Sequence, residues 1–148
     1  MNKDLSKTLS DIGVNAKRAS AVLNTASSEQ KNSFFDFAIK AIQDDSHAIL
    51  EANKIDIKQA EENNKDAAFI DRLALDKDRI EGICKTLKEI KCFDDPIGTV
   101  LASWNRPNGL KISRVSTPLG VIGLIFESRP NVAADAGGLC LKSGNSVI

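Results

Sequence analysis

The sequence predicts an α/β protein: a helical N-terminal region, a β-hairpin arm, and the first βαβ unit of a parallel sheet that is left incomplete. Three observations carry that prediction. Apolar residues recur at spacings of three and four over roughly the first ninety residues, the period of amphipathic helices. The period then shortens to strict alternation around an Asn-Gly turn. Last comes a run of apolar and glycine residues without alternation, followed by a helical segment and the start of another β-rich one.

In residues 3–23, Leu5, Leu9, Ile12, Ala16, Ala19 and Leu23 form one helical stripe. Ser27 with Gln30 has the pattern of a capping box and opens a helix carrying Phe34, Phe37, Ala38, Ala41 and Ile42. Asp44-Asp45-Ser46 offers a cap for a helix over 49–60, and Asn63-Asn64-Lys65-Asp66 interrupts it. A short helix over 69–73 follows, and Asp76 or Asp78 starts the last of the series, striped by Ile80, Ile83, Leu87 and Ile90 and ended by Asp95-Pro96. Segments 99–104 and 110–115 flank Asn105-Arg106-Pro107-Asn108-Gly109, a hairpin signal, and the alternation of the second segment predicts one wetted face.

Segment 120–126 predicts a strand buried on both faces. Pro130 suits the first turn of a helix continuing over 132–142, Lys142 sits in its last turn, and Gly144 is placed to cap its end. Gly137-Gly138 would let that helix approach the sheet closely, and residues 146–148 begin the second, parallel strand. The domain reading is 1–98 helical region, 99–117 hairpin arm and 118–148 start of the sheet. Ending on a strand's first residues leads us to expect the leading piece of a longer protein.

Twenty basic and twenty acidic residues balance, so no net field steers the chain onto nucleic acid or an anionic membrane. No segment reaches the roughly 20 apolar residues of a membrane span, and residues 1–4 lack the apolar core of a secretory signal. Cys84, Cys92 and Cys140 have neither disulfide-scaffold density nor metal-ligand spacing, and a reducing cytoplasm is the expected setting. No metal cluster is expected, and His47, the single histidine, is assigned to a helix face.

Ligands of parallel sheets bind beyond the carboxyl ends of the strands, where this chain places Glu127-Ser128-Arg129-Pro130-Asn131. Arg129 could clamp a carboxylate or phosphate, or pair with Glu127 or Asp135. Asn131 could donate to a substrate oxygen or cap the helix, and Ser128 has the same two readings. Cys140, among Leu139 and Leu141, reads as a buried inert thiol.

Arg106-Pro107-Asn108-Gly109-Leu110, Pro118-Leu119-Gly120-Val121-Ile122-Gly123, Glu127-Ser128-Arg129-Pro130-Asn131-Val132 and Leu139-Cys140-Leu141-Lys142-Ser143-Gly144-Asn145 resemble the gamma-glutamyl phosphate reductase (glutamate-5-semialdehyde dehydrogenase) family. So do Ile49-Leu50-Glu51-Ala52-Asn53, Asp71-Arg72-Leu73-Ala74-Leu75 with Arg79-Ile80, and Asp95-Pro96-Ile97-Gly98. The resemblance spans nearly the whole chain but about the first third of such an enzyme. It implies a Rossmann-like, aldehyde dehydrogenase-like fold and NADPH-dependent reduction of L-glutamate 5-phosphate in proline biosynthesis, in a cytoplasmic homo-oligomer contacting itself through the hairpin arm. It also implies a cysteine nucleophile outside this chain, substrate contacts at Arg129 and Ser128, cofactor contacts at Phe126 and Glu127, and an oxyanion role for Asn131. A non-catalytic assembly module, or another acyl-phosphate or aldehyde reductase of the same superfamily, are the alternatives.

Overall fold

The computed structural model describes residues 3–148. Five helices come first: α1 (Lys3–Leu23), α2 (Ser28–Asp44), α3 (Ser46–Glu62), α4 (Ala67–Leu73) and α5 (Lys77–Cys92). Side chains at three N-caps satisfy orphan amides. Ser27 and Gln30 form the reciprocal capping box of α2, Asp66 accepts from the Phe69 amide, and Asp76 accepts from the Arg79 amide. Asp76, not Asp78, is therefore the cap. Asp45 makes no side-chain cap bond, and α3 begins at Ser46, ahead of the expected 49. Helix α5 stops at Cys92, before Asp95-Pro96, because the backbone is already extended at Phe93.

The core lies where α2, α5 and the later helix α6 (Asn131–Lys142) meet, around Phe35, Ile39, Cys84, Leu87 and Ile90. Gly138 of α6 faces this cluster: a Cβ there would stand 3.1 Å from Leu87 and 3.2 Å from Phe35. The glycine pair therefore serves helix–helix packing at Gly138 rather than the expected approach to the sheet. Two charges are buried with it. Lys142 Nζ donates to Asn32 Oδ1 and to the Lys91 carbonyl, at 2.7 and 2.8 Å. Lys31 pairs with Asp95 at 2.5 Å.

Helix α1 obeys its stripe only in part. Ala16 and Ser20 are buried, whereas Leu5, Leu9 and Ile12 are exposed. The hairpin is β1 (Val100–Asn105) paired antiparallel with β2 (Lys111–Val115), closed by Gly109 at φ 83°. Its expected dry face is not found: Val100, Leu101, Trp104, Leu110 and Val115 are all exposed, and only Ala102 and Ile112 of the two strands are half-buried.

The second sheet pairs β3 (Val121–Ile122) with β4 (Ser146–Val147), in parallel. Bonds from the Ser146 amide to Gly120 O and from the Leu124 amide to Ile148 O extend the ladder at both ends. Strand, helix α6, strand is the expected βαβ unit, and the chain is α/β as the sequence predicts. The end of α6 is a Schellman motif: Gly144, at φ 72°, donates to Leu141 O and Asn145 donates to Cys140 O. Burial of 120–126 on both faces is not found. Ile125 is fully exposed, as are Leu119 and Phe126 in large part, because β3 has one paired edge and α1 and α6 lie chiefly against β4.

Candidate functional site

Beyond β3 the chain leaves the sheet, turns at Ser128 and enters α6. Ser128 sits at φ 52°, left-handed backbone that costs a non-glycine residue of order 1 kcal/mol. The turn projects Arg129 over a cleft of about 390 Å³ between the start of α6 and the α4–α5 corner. That volume lies within the range of small-molecule sites, about 300–1,000 Å³.

Each wall has its own support. Arg79 bolts the α4–α5 corner by donating to the Asp71 carbonyl, to Ala74 O at 2.8 Å and to the Asp71 carboxylate at 2.8 Å. Asn53, buried on α3, grips the same corner: its Nδ2 donates to Leu73 O at 2.9 Å and its Oδ1 accepts from the Leu75 amide at 2.7 Å. On the other wall, Asn131 is the first residue of α6, with Pro130 in the cap position. The cap reading of Asn131 is therefore corrected, while Pro130, at φ −58° and ψ −33°, already has helical backbone, in keeping with its expected place at the start of the helix. Asn131 Nδ2 instead donates to Asp135 Oδ2 at 2.8 Å.

The salt-bridge reading of Arg129 fails. Among the described residues neither Glu127 nor Asp135 pairs with it, and both it and Arg72 line the cleft with free guanidinium groups. Asp135 Oδ1 is buried and accepts no hydrogen bond. The cleft thus combines a fixed ion pair, Arg79 with Asp71, two unpaired guanidinium groups and one unsatisfied carboxylate oxygen. Guanidinium groups so placed can hold an anion by bidentate bonds, and the carboxylate oxygen offers a second, negative point of attachment.

Of the residues singled out in the sequence, Arg129 and Asn131 come together in this cleft. Ser128 makes the turn above it, and Glu127 is exposed beside it. Phe126 lies apart, in a shallow hollow of about 130 Å³ with Leu124, Gly137 and Ile148 beyond the strand ends. Sequence reasoning missed Arg72, Arg79 and Asp135 as site residues. Asp71-Arg72 and Arg79 stood out in the sequence only as matching letters, since two residues on separate helices give no periodic sign that they face a third. Cys84 and Cys140 have thiols pushed up by burial, His47 is exposed on α3, and Cys92 is exposed at the end of α5.

The chain is thus an α/β protein with a charged cleft beyond the first strand of a parallel βαβ unit, the place where ligands of such sheets bind. No family model matches the chain. Gamma-glutamyl phosphate reductase of Brucella suis biovar 1 is 52% identical over 148 residues, all of this chain and 35% of the relative. That of Allorhizobium ampelinum is 54% identical over 138 residues, 93% of this chain and 32% of the relative. Crystal structures of gamma-glutamyl phosphate reductase from Thermotoga maritima and Saccharomyces cerevisiae superpose with TM-scores of 0.87 and 0.88 at 39% and 36% identity. They cover 89% and 93% of this chain, which in turn covers 32% and 35% of them. The chain is thus similar over nearly its whole length to gamma-glutamyl phosphate reductases, and it spans about a third of the length of the curated relatives it matches.

Proposed function

We propose that this chain works as part of a gamma-glutamyl phosphate reductase. That enzyme reduces L-glutamate 5-phosphate with NADPH to L-glutamate 5-semialdehyde and phosphate, the second step of proline biosynthesis, on an aldehyde dehydrogenase-like fold in the cytoplasm. The observation that carries the reading is the unpaired Arg129 over the cleft, in a chain 52% identical to such a reductase. Arg129 binds an anionic end of the substrate, with Ser128 presenting its hydroxyl from the strained turn. Asn131 spends one amide N–H on Asp135 and has a second for the substrate oxygen on which charge develops.

NADPH supplies the hydride. The hollow at Phe126 fits an apolar part of it: Ala133, Ala136 and Gly137 are small, and no charged group there would hold a phosphate. Glu127, exposed and next to Phe126 in the chain, is the polar neighbour for that part of the cofactor. The nucleophile is a thiolate from outside these residues. Burial disfavours the thiolate at Cys84 and Cys140, and Cys92 stands exposed at the end of α5, away from the cleft's lining residues. The 148 residues alone accordingly give no turnover.

A chimaera carrying these 148 residues in place of the matching residues of the Brucella suis reductase tests the reading. Phosphate-dependent reduction of NADP by the semialdehyde is expected, and a folded chimaera without turnover refutes it. One observation favours an assembly role alongside: the hairpin exposes Val100, Leu101, Trp104 and Leu110. The full-length protein forms a homo-oligomer through that arm, and sedimentation of the chimaera with Trp104→Glu as a dissociated species is the expected result.

A further inference from the structure

We infer that the cleft between α6 and the α4–α5 corner is a seat for an α-amino acid head group, with Asp135 receiving the ammonium and Arg129 and Arg72 the adjacent carboxylate. The inference rests on the reductase reading for the identity of the amino acid, a glutamyl group, and adds which end of it lies here. A dianionic phosphate would bring nothing for Asp135 and would stand near its negative charge. A zwitterion matches both signs.

The acidic half of the seat is the more telling. Asp135 lines the cleft, its Oδ2 is held at 2.8 Å by Asn131, and its Oδ1 is closed off from water with no donor. A carboxylate oxygen in that position lacks the bonds it would have in water, and among the described residues none donates to it, Arg129 and Arg72 of the same cleft included. A partner that brings N–H donors through the cleft would satisfy it. The terminal torsion of an aspartate is soft, so a small turn of the carboxylate meets such a donor without disturbing α6. An ammonium group, with three N–H bonds, satisfies Oδ1 and leaves the Asn131 bond intact. On the basic half, Arg129 comes from the turn before α6 and Arg72 from α4, so a carboxylate between them is gripped from two separate elements.

Titration calorimetry of the 148-residue chain with L-glutamate and with glutarate, which differs by lacking the ammonium, decides the matter. L-Glutamate is expected to bind about tenfold more tightly than glutarate, the size of one charge-assisted hydrogen bond. Asp135→Asn should lower L-glutamate affinity to that of glutarate and leave glutarate unchanged, which also shows that the variant is folded. Equal wild-type affinities for the two ligands, no saturable binding of either, or an equal loss for both in D135N would overturn the inference. Should D135N fail to fold, the wild-type ratio decides alone. Turnover by the chimaera together with equal affinities would sink the head-group seat and leave the reductase reading standing.

Discussion

Replacing Asp95 by asparagine removes a charge from the least accessible ion pair among the described residues. Lys31 Nζ lies 2.5 Å from Asp95 Oδ2, and their side chains are 2% and 15% exposed. Ser28 Oγ donates to the same oxygen at 2.7 Å, and the Ile97 amide donates to Oδ1 at 3.0 Å. In Asp95→Asn the Ile97 bond can persist, but Lys31 stays buried without a counter-charge. Breaking a buried pair from one side costs about 3–5 kcal/mol. The remaining access of Asp95 to water argues for the lower end, about 3 kcal/mol. With a urea m-value of about 2 kcal/mol/M, the unfolding midpoint should fall by roughly 1.5 M. Adding Lys31→Met to the same chain removes the stranded charge and should recover most of the loss. A loss below about 1 kcal/mol, or a double variant as unstable as D95N, would refute the reasoning. The pH dependence has a definite sign. Burial alone would raise the Asp95 pKa, but the bonds from Lys31, Ser28 and Ile97 outweigh it and hold the carboxyl below its ordinary value. Its contribution is complete above the unfolded-state pKa of about 3.9 and fades as pH falls through the lower folded value. The gap between wild type and D95N should therefore close on the acid side of about pH 4.

Gly138→Ala should destabilise by about 1 kcal/mol, since crowding against Leu87 and Phe35 exceeds the gain in helix propensity. Gly137→Ala, with nothing within 4 Å of the new methyl, should stabilise by about 0.5–1 kcal/mol; a reversal of the two signs in thermal unfolding would disprove the seating of α6. Asn53→Ala strands Leu73 O and the Leu75 amide, costs about 2 kcal/mol, and should weaken L-glutamate binding by loosening the wall that carries Arg72. Calorimetry that finds binding unchanged would separate that wall from the cleft. A disulfide reagent should label Cys92 rapidly and Cys84 only on unfolding, because burial raises the Cys84 thiol and shields it; mass mapping of the first adduct reads this directly.

Helices, caps and the hairpin turn were legible because their signals are local. Ser27 with Gln30 and Asp76 act within three residues of themselves, so the letters carry the geometry; Asp66 caps α4 in the same way, although its stretch reads in the sequence only as an interruption. Burial was less legible. The apolar run before Ser128 reads as a strand covered on both sides, but covering a strand is the work of elements distant in sequence, and here Ile125 and Phe126 meet solvent. The same limit applies to Gly138, whose close neighbours come from α2 and α5 rather than from the adjacent sheet. Arg129 was visible as a lone cation at a strand end; its companions Arg72 and Asp135 became site residues only once α4 and α6 were set side by side.

Backbone conformation departs from its usual rules at the strand-to-helix turn. Among the described residues the other left-handed non-glycine residue is Asn64, an amide residue just past the end of α3, where such backbone is ordinary. Ser128 has no such excuse. The turn it makes carries Arg129, which has no partner among the described residues, and leads into α6, where Asp135 Oδ1 is buried with no donor among them. A left-handed serine and an unsatisfied carboxylate oxygen each cost the chain free energy. Both lie past the carboxyl end of a parallel strand, where ligands of such sheets bind, and interactions with a ligand's charges would offset that cost.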